Sequence, residues 1–511
     1  ADIIKDIIGE EDLYAPYWIL RNRRTAIRAA LSIAVKGDIV LVAGKGHETY
    51  QIIGNKRIPF NDKEEILRFL NLKRQKISYS LPLPIDILQL EILFEQPLDH
   101  ISEEIIRNIS TDSRTIKNNS LFFALKGENF DGHDFVKDVL RLDNCLVVVD
   151  QNFKEINRNL IQLTNTIEAY GRLASKFRSI FGVTTVAITG SIGKTTTKEY
   201  IYNILNTVAP TLKTFANENN LIGLPKTLFN LKPGHKYAIL ELGSNQIGEI
   251  GKLSDICKPD IGIITAVGAC HLEFFHDEEG VFMEKTALFK RHLKLRFFPG
   301  DDNRFNEFEG ITFGYKSDND YQISNMNILP DHIEFSVNNI NYSIPTIYDS
   351  FVINATIAIA VTSELRVPSD IIQKGLNQPL KISQRMEIVK SKRRTLMIDC
   401  YNANPQSMKA AITFWKNFKS EKPHIAILGD MLELGESTIR FHKEIQKLLH
   451  KDKEEYIISV GKFAKYYKSD LHFPKVEKLI FSKKYEAFPL EAVILIKASH
   501  SINLEKIIGW L

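Results

Sequence analysis

Short apolar runs alternate with longer amphipathic stretches along most of the 511-residue chain. The run that ends at Ile188 predicts a buried strand over 183–188, and a short polar stretch with two glycines follows it. Beyond that stretch, the spacing of the apolar residues predicts a helix over Lys194–Val208. One face of this helix carries Ile201, Ile204, Leu205 and Val208.

The same alternation continues through the second half of the chain. Residues 311–348 look like a β-rich insertion, and a last unit of strands and helices begins near 376. Strands that alternate with helices favour parallel sheets covered by helices on both faces. The sequence therefore predicts an α/β fold, with further strands at Tyr237–Leu242, Ile261–Val267, Thr395–Asp399, His424–Leu428, Glu455–Val460 and Ala492–Ile496.

The beginning of the chain shows this pattern on a smaller scale. It predicts a helix over Arg23–Val35, a strand over Asp38–Ala43 and a helix over Lys63–Leu72, followed by a basic linker at 73–76. Such changes of pattern divide the chain into four predicted parts: 1–76, 77–180, 181–375 and 376–511.

Composition limits the class of protein. The chain is too long for one core, and its 44% hydrophobic and 25% charged residues are ordinary for a globular protein. A net charge of +4 is too small to indicate a nucleic-acid partner. No apolar run approaches the ~20 residues that cross a bilayer, and no signal peptide is visible. The four scattered cysteines suit a reducing compartment, so we expect a cytoplasmic protein.

Residues 189–197 read Thr-Gly-Ser-Ile-Gly-Lys-Thr-Thr-Thr, directly after the first strand of the central part. A glycine loop between a buried strand and a helix points backbone N–H groups and the positive helix end at a phosphate. Lys194 would then reach the outer phosphates, and the Thr195 hydroxyl would contact Mg²⁺. The common P-loop has a further glycine where this chain has Ile188, so the form here is a shorter one. A plain glycine turn with a surface lysine is the alternative.

Polar residues also follow two other predicted strands. Glu241 ends the strand that begins at Tyr237, and His271 follows the strand that begins at Ile261. In open α/β sheets, ligands lie at the carboxyl ends of the strands. Glu241 is therefore placed to hold a metal bound to the nucleotide, and oxygen ligands suit Mg²⁺. The alternatives are a solvated carboxylate and a structural histidine.

Three further polar segments are candidates for the site. An asparagine-rich loop contains Asn219 and Asn220, and the last part of the chain contains Arg385 and the polar run 399–405. Lys285 lies in a predicted helix, where the ordinary expectation is a solvated lysine. For the two asparagine-containing runs, the ordinary expectation is a hydrogen-bonded turn.

Together, these residues resemble the Mur ligase family, the ATP-dependent amino-acid and peptide ligases of cell-wall precursor synthesis. The resemblance runs from about residue 78 to residue 511, and is closest to the member that adds D-Ala-D-Ala. It rests on the short phosphate loop and on Thr111–Arg114, Lys126–Phe135, Asn219–Pro225, Glu241–Ile250, Tyr401–Pro405 and Gly429–Glu436.

The first 75 residues resemble the C-terminal end of a sister ligase of the same family, the one that adds the third stem residue. The similarity covers Arg23–Gln51 and Phe60–Glu64. It implies a truncated fusion of two ligases, or a remnant attached to one. Because the phosphate loop of that sister enzyme would lie upstream of Ala1, we expect no ligase activity from this segment alone.

The resemblance implies roles for individual residues. Lys194, Glu241, His271 and Lys285 would be catalytic, with Lys285 at the position of a lysine that carries a metal-bridging carbamate in relatives. Metal would be held by Thr195, Glu241, His271 and Lys285. ATP would be bound by Gly190, Ser191, Gly193, Lys194, Thr195, Thr196, Asn354, Arg385 and Asp399. Substrate would be bound by Ser113, Arg114, Asn219, Asn220, Tyr401, Asn402 and Asn404.

The resemblance also implies the fold and the reaction. The fold would be a three-domain Mur ligase with a central P-loop parallel sheet and a Rossmann-like C-terminal domain, preceded by a partial α/β tail. The cofactors would be ATP and Mg²⁺, and the substrates UDP-MurNAc-tripeptide and D-Ala-D-Ala, joined through an acyl phosphate. We expect a monomer that binds no nucleic acid and has no membrane span.

Departures from the family pattern leave a second hypothesis open. They lie at Ser350 and Phe351, at Ile398, and at Ala498 and His500. Arginine to histidine at position 500 loses a permanent charge and a bidentate donor. The second hypothesis is a catalytically impaired remnant that only binds nucleotide or UDP-sugar. A third is another ligase of this type, such as a folylpolyglutamate synthase, against which the segments Tyr401–Pro405 and Gly429–Glu436 argue.

Overall fold

The computed structural model describes most of the chain in two compact units, residues 1–180 and 181–511. Within these units the described residues are 23–33, 39–44, 48–53, 56–67, 87–94, 98, 106–127, 130–380, 382–391, 394–450 and 455–511. No helix in these ranges is long and apolar enough to cross a membrane.

The first unit contains a four-stranded sheet in which all the pairs are parallel. Its interior consists of apolar side chains such as Phe122, Val136 and Val147, all fully buried. The strands, in sheet order, are Asn108–Ser110, Ser120–Phe123, Leu146–Asp150 and Leu160–Leu163. The accompanying helices are Ile87–Phe94, Val136–Val139 and Thr166–Ser179.

The amino-terminal segment packs on this domain through a buried ion network. Arg28 contacts Glu65 at 2.5 Å and Glu91 at 2.6 Å, and Glu91 also accepts a hydrogen bond from the Leu98 backbone. All three charged side chains are buried. The segment consists of the helix Arg23–Ile33, the antiparallel hairpin Tyr50–Ile53 and Lys56–Pro59, and a helical stretch at 62–67.

One predicted element of this segment is wrong. The expected strand over Asp38–Ala43 is absent, because residues 39–43 have no regular structure, while residue 38 lies outside the described ranges. Ile39 and Leu41 are 96% and 86% exposed. A strand needs a neighbour for its backbone hydrogen bonds, and among the described residues none pairs with 39–43. The predicted linker 73–76 and the ends of both predicted helices also lie outside the described ranges.

The second unit begins with a nine-stranded sheet that is parallel except for the first two pairs in its sheet order. The predicted β-rich segment 311–348 is confirmed as β structure, and it extends this sheet rather than forming an insertion. In sheet order the strands are Ile340–Ile344, Ile333–Val337, Tyr321–Ile328, Ile311–Gly314, Leu295–Pro299, Ile261–Ile264, Thr184–Thr189, Tyr237–Glu241 and Thr211–Lys213.

Helices on this sheet bury its faces. The predicted helix Lys194–Val208 has the expected bounds, and its Ile201, Ile204 and Leu205 are fully buried in the core. Val208, at the helix end, is half exposed. The other helices of this part are Gly223–Leu228, Glu249–Cys257, Leu272–Phe275, Glu278–Thr286, Ser350–Glu364 and Ser369–Leu376.

The last part of the second unit is a six-stranded sheet, parallel apart from its first pair. Its strands, in sheet order, are Glu387–Ser391, Arg394–Asp399, Val493–Lys497, His424–Gly429, Tyr456–Val460 and Leu471–Phe473. Its helices are Pro405–Asn417, Thr438–Leu449 and Val476–Ser482. The predicted α/β class with parallel sheets is therefore confirmed, and most predicted strands are found within one or two residues.

Candidate active site

The loop after the strand Thr184–Thr189 is shaped by two glycines with positive φ angles. Gly190 has φ 143° and Gly193 has φ 83°, values that side-chain-bearing residues rarely adopt. A Cβ at Gly190 would overlap Thr265 Oγ1, and a Cβ at Gly193 would overlap Asn354 Oδ1. The Ser191 N–H donates to the Ala266 carbonyl at 2.8 Å. The tight loop therefore depends on the neighbouring strand and on the helix that carries Asn354.

Lys194 begins the helix that follows this loop. Its Nζ donates to the Gly190 carbonyl at 2.6 Å, so the side chain folds back over the loop. Burial lowers the pKa of Lys194, and the nearby Glu241 carboxylate opposes only part of this effect. Thr196, in the same first turn, is buried. The ammonium group thus lies where an anion at the helix N-terminus would meet it.

Thr195 and Glu241 meet at the carboxyl end of the sheet. The Thr195 hydroxyl donates to Glu241 Oε2 at 2.9 Å, and the Asn219 amide donates to Glu241 Oε1 at 3.0 Å. Burial alone raises the pKa of the Glu241 carboxyl. The ammonium groups of Lys198 and Lys194 outweigh this, so the pKa of Glu241 lies below its usual range. The carboxylate is therefore held ionised with both oxygens in contact.

These oxygen atoms suit a magnesium ion. Mg²⁺ prefers oxygen ligands and usually takes one or two protein groups, completing its shell with waters and substrate phosphates. Thr195 and Glu241 supply such a pair beside the loop. Among the described residues, no group of three or more histidine, cysteine, aspartate or glutamate side chains is gathered as a ready metal site. The residues fit a metal shared with the nucleotide rather than an all-protein cage.

Asn354 connects the loop to the helix Ser350–Glu364. Its Oδ1 accepts a hydrogen bond from the Thr197 hydroxyl at 3.1 Å, and its amide donates to the Ser350 carbonyl at 2.9 Å. Asn354 is buried and lies against Gly193. Asn354 contacts the backbone carbonyl of residue 350, which does not depend on the side chain there. The departure from the family pattern at Ser350 therefore leaves the position of Asn354 intact.

The segment 265–271 lies along the other side of the loop. The Ser191 hydroxyl donates to the Gly268 carbonyl at 2.8 Å, and the Cys270 thiol lies 3.1 Å from Ser191 Oγ. His271 follows with φ 50°, and its Nδ1 lies 2.5 Å from Glu433 Oε2. This contact holds the pKa of the Glu433 carboxyl below its usual range. The structure therefore pairs His271 with a carboxylate of the C-terminal part.

Lys285 is an interior lysine, contrary to the ordinary expectation for a helix lysine. It is 1% exposed, and its Nζ donates to Ser244 Oγ at 2.7 Å. Burial lowers the pKa of Lys285 to about 8, and the positive charge of Lys194 contributes. The Phe275 ring lies 5.6 Å from Nζ and 6.3 Å from the His271 ring. Lys285 thus belongs to the same neighbourhood as Lys194 and His271.

The C-terminal part contributes a second group of polar residues. Asp399 accepts from Lys497 Nζ at 2.6 Å, and the same ammonium donates to the Asn402 carbonyl at 3.0 Å. The Arg385 guanidinium lies 3.9 Å from the centre of the Tyr401 ring. Its charge also helps to lower the pKa of Glu241, which places Arg385 near the phosphate loop.

Several predicted site residues have local structural partners. The Asn404 side chain caps the helix Pro405–Asn417 in a reciprocal capping box with Ser407. Asn220 accepts from the backbone N–H groups of Ile222 and Gly223. In the first unit, Arg114 is exposed and forms an ion pair with Asp112 at 2.7 Å, next to Ser113. Their predicted substrate contacts stay predictions.

A cavity of about 430 Å³ opens between the central and C-terminal parts of the second unit. It is lined by predicted site residues and by others that the sequence reasoning did not assign, among them Glu433 and Ser499. Glu433 lies in the segment Gly429–Glu436, which carries part of the family resemblance. Ser499 lies between Ala498 and His500, where the chain departs from the family pattern. The lining consists of His271, Tyr401, Asn402, Leu432, Glu433, Ser499, His500, Ser501 and Asn503.

The fold and the site define a nucleotide-dependent P-loop enzyme whose C-terminal α/β part borders a cavity at His271. Family models match residues 105–178 as the Mur ligase catalytic domain, 188–362 as the Mur ligase middle domain and 384–499 as the Mur ligase glutamate ligase domain. The chain belongs to the Mur ligase family. The predicted enzyme class, an ATP-dependent peptide ligase, and the predicted three-domain Mur ligase fold are confirmed.

Similar proteins are UDP-N-acetylmuramoyl-tripeptide–D-alanyl-D-alanine ligases. The one from Bacillus subtilis is 31% identical over 80% of this chain and 93% of its own length. The one from Buchnera aphidicola (subspecies Baizongia pistaciae) is 32% identical over 80% and 92%. A crystal structure of MurF from Acinetobacter baumannii has a TM-score of 0.77 at 29% identity, covering 84% of this chain and 99% of that one. MurF from Thermotoga maritima in complex with ADP has a TM-score of 0.72 at 26% identity, covering 79% and 96%.

Proposed function

We propose that this chain joins D-alanyl-D-alanine to UDP-N-acetylmuramoyl-tripeptide at the expense of ATP, giving the pentapeptide precursor of peptidoglycan. The observation that carries the proposal is the contact of Thr195 with Glu241 beside Lys194, within a unit whose C-terminal part borders a cavity next to His271. The relatives' names support the choice of substrates. The hypothesis of a nucleotide-binding remnant is not favoured, because the relatives that match about 80% of this chain are named as ligases.

The phosphate loop would bind ATP through backbone N–H groups and Lys194. Thr195 and Glu241 would hold Mg²⁺, and the bound ion would supply positive charge next to the phosphates. Asn354, Arg385 and Asp399 would complete the nucleotide contacts. In this arrangement Lys194 is already partly buried, so its charge acts more strongly on an approaching phosphate than an exposed charge would.

The tripeptide carboxylate would attack the γ-phosphate, forming an acyl phosphate and releasing ADP. The amine of D-alanyl-D-alanine would then attack the acyl carbon, form the peptide bond and expel phosphate. Both substrates are anionic in the first step, so Lys194 and Arg385 lower the repulsion between them. Closure of the C-terminal part excludes water, which would otherwise hydrolyse the acyl phosphate.

Lys285 suits the carbamate that the family resemblance implies. A carbamate forms when a neutral amine adds CO₂ and loses a proton, and a pKa of about 8 leaves part of Lys285 neutral near pH 7. The product is an anion near Lys194, and that cation favours it. The carbamate oxygens would serve as further ligands for Mg²⁺, together with His271.

The first unit would bind the UDP-sugar end of the tripeptide substrate through Ser113 and Arg114. Asn219, Asn220, Tyr401, Asn402 and Asn404 would contact the peptide substrates. Arg114 offers a planar guanidinium of the kind that binds phosphate oxygens in two-point contacts. A monomer that works in the cytoplasm completes the proposal.

Phosphate release with the purified full chain tests this function. We expect release only when ATP, UDP-N-acetylmuramoyl-tripeptide and D-alanyl-D-alanine are all present, together with a product of the pentapeptide mass. Lys194→Met should abolish release, whereas Lys252→Met, at an exposed helix position, should retain it. Release without the dipeptide, or no release with all three, would contradict the proposal.

A further inference from the structure

The contact between His271 and Glu433 joins two residues with unusual backbones. Both lie in the left-handed region, His271 at φ 50° and Glu433 at φ 61°, and neither is a glycine. Such conformations persist where the surrounding structure holds them, and they concentrate at functional sites. Here the two side chains meet at 2.5 Å, one from the central part and the other from the C-terminal part.

Glu433 is presented from a firmly held loop. The Asp430 carboxylate accepts hydrogen bonds from three successive backbone N–H groups, those of residues 462–464. The Met431 N–H donates to His442, and the Leu432 N–H donates to Ser499 Oγ. The loop therefore places the next residue, Glu433, without help from His271.

The same loop contacts the turn that carries His271 a second time. The Glu433 carbonyl accepts from the Glu273 N–H at 3.3 Å, and a Cβ at Gly435 would lie 3.3 Å from Glu273 Cα. The side-chain contact is thus one of several between the two segments. Loss of the Glu433 carboxylate alone would leave the backbone contacts in place.

We propose that Glu433 is the positioning residue for His271, fixing its ring for metal binding when the C-terminal part is closed. This rests on the proposed function, in which His271 contacts Mg²⁺. A carboxylate 2.5 Å from Nδ1 favours a proton on that nitrogen and leaves Nε2 as the nitrogen available to a metal. Carboxylates that contact a ligating histidine in this way raise its basicity and limit its rotation.

The consequence is a link between domain closure and the metal site. His271 belongs to the central part, yet its orienting carboxylate belongs to the C-terminal part. If the C-terminal part moved away, the His271 ring would stay on the central part but would lose its contact with the Glu433 carboxylate. The site for the metal would then be complete only when the dipeptide-binding side of the enzyme is in place.

The test compares Glu433→Gly with Glu436→Gln, which removes an exposed carboxylate from the same loop. Glycine tolerates the left-handed backbone, so Glu433→Gly removes the side chain without adding strain. Mn²⁺ binding to the full chain is measured by electron paramagnetic resonance, with an ATP analogue that resists hydrolysis. We expect binding about tenfold weaker in Glu433→Gly and unchanged in Glu436→Gln.

Activity gives the second readout. The Mg²⁺ concentration for half-maximal rate should rise about tenfold in Glu433→Gly, with KM for ATP unchanged, and Glu433→Gln should recover part of the loss because its amide oxygen can still accept from Nδ1. Equal Mn²⁺ binding in wild type and Glu433→Gly would overturn the inference, even if the wild-type chain joins the dipeptide to the tripeptide substrate. Absence of ligation by the wild-type chain would instead contradict the proposed function.

Discussion

Burial gives the lysines of the site properties that exposed lysines lack. Lys194 and Lys285 both have lowered pKa values, because transfer out of water disfavours the ammonium form. Lys497 is as buried as Lys285, and its ammonium group lies 2.6 Å from the Asp399 carboxylate. At the scale of single residues, the chemistry open to each lysine therefore depends on its burial and its neighbours. Its position in the sequence alone does not reveal either.

Lys285 should react with CO₂ at a pH where ordinary lysines do not. Its neutral fraction rises as pH passes upward through about 8, and below that value the protonated amine is unreactive. Carbamate formation should increase roughly fivefold between pH 7 and pH 8. Nuclear magnetic resonance with ¹³C-bicarbonate should show one slowly exchanging carbamate in the wild-type chain and none in Lys285→Met. An identical signal in both would contradict the assignment.

The phosphate loop should not accept a methyl group at position 193. In Gly193→Ala the new Cβ would overlap Asn354 Oδ1 and force a positive φ on alanine. We expect a loss of about 1–3 kcal/mol in the free energy of unfolding and ATP binding weaker by at least about tenfold. Gly234→Ala is the matched control, since nothing lies within 4 Å of a Cβ there. Calorimetry measures both quantities, and equal values for the two variants would refute the steric argument.

At the scale of elements, the helix Pro405–Asn417 connects fold and site. Asn404 caps it, Pro405 begins it, and Gln406 lies so close to Gly268 that a Cβ there would be 2.7 Å from Gln406 Oε1. The start of this helix thus packs on the segment that leads to His271. The polar run before the helix is fixed in turn by Lys497, which contacts both Asp399 and the Asn402 carbonyl.

Asn404 is expected to stabilise this helix through its capping box. Asn404→Ala should lower the free energy of unfolding by about 1 kcal/mol, whereas Asn404→Asp should retain most of it, because aspartate caps as well as asparagine. Urea denaturation of both variants gives the comparison. If Asn404 also contacts substrate, KM for the dipeptide should rise in Asn404→Asp despite its intact stability; an unchanged KM would leave Asn404 a capping residue alone.

The sequence predicted the elements whose signals are local. The helix Lys194–Val208 and the strands around it follow from periodicity, and the glycines of the loop follow from a short motif. The contacts of Glu433 with His271 and of Lys497 with Asp399 could not be predicted in this way, since they join residues that are distant in sequence. The strand expected at 38–43 failed for a related reason, because a strand depends on a partner that its own residues do not encode.

At the scale of the whole molecule, the amino-terminal segment is part of the first unit. Arg28 lies between Glu65 and Glu91, with side chains 8%, 6% and 1% exposed. Groups so buried carry a large desolvation cost, and the network is stable only when every member is paired. The segment resembles part of a sister ligase, and it nevertheless packs into the first unit through these buried ion pairs.

Breaking this network should destabilise the first unit strongly. Arg28→Met leaves the buried Glu91 carboxylate without this cation and Glu65 paired with Arg24, and we expect a loss of about 3–5 kcal/mol in the free energy of unfolding. Arg141→Met removes an exposed ion pair with Asp138, and should change stability by less than about 0.5 kcal/mol. Urea denaturation followed by circular dichroism measures both. A small effect of Arg28→Met would show that the segment contributes little to the unit.

The segment 39–43 affects how the protein behaves in concentrated solution. This segment exposes Ile39 and Leu41, and no strand of the described ranges pairs with it. Unpaired, β-branched and apolar stretches of this kind are templates for strand exchange between molecules. The tendency of the molecules to associate is thus affected by a segment far in sequence from the residues of the active site. A lysine at either position would improve solubility without touching catalysis.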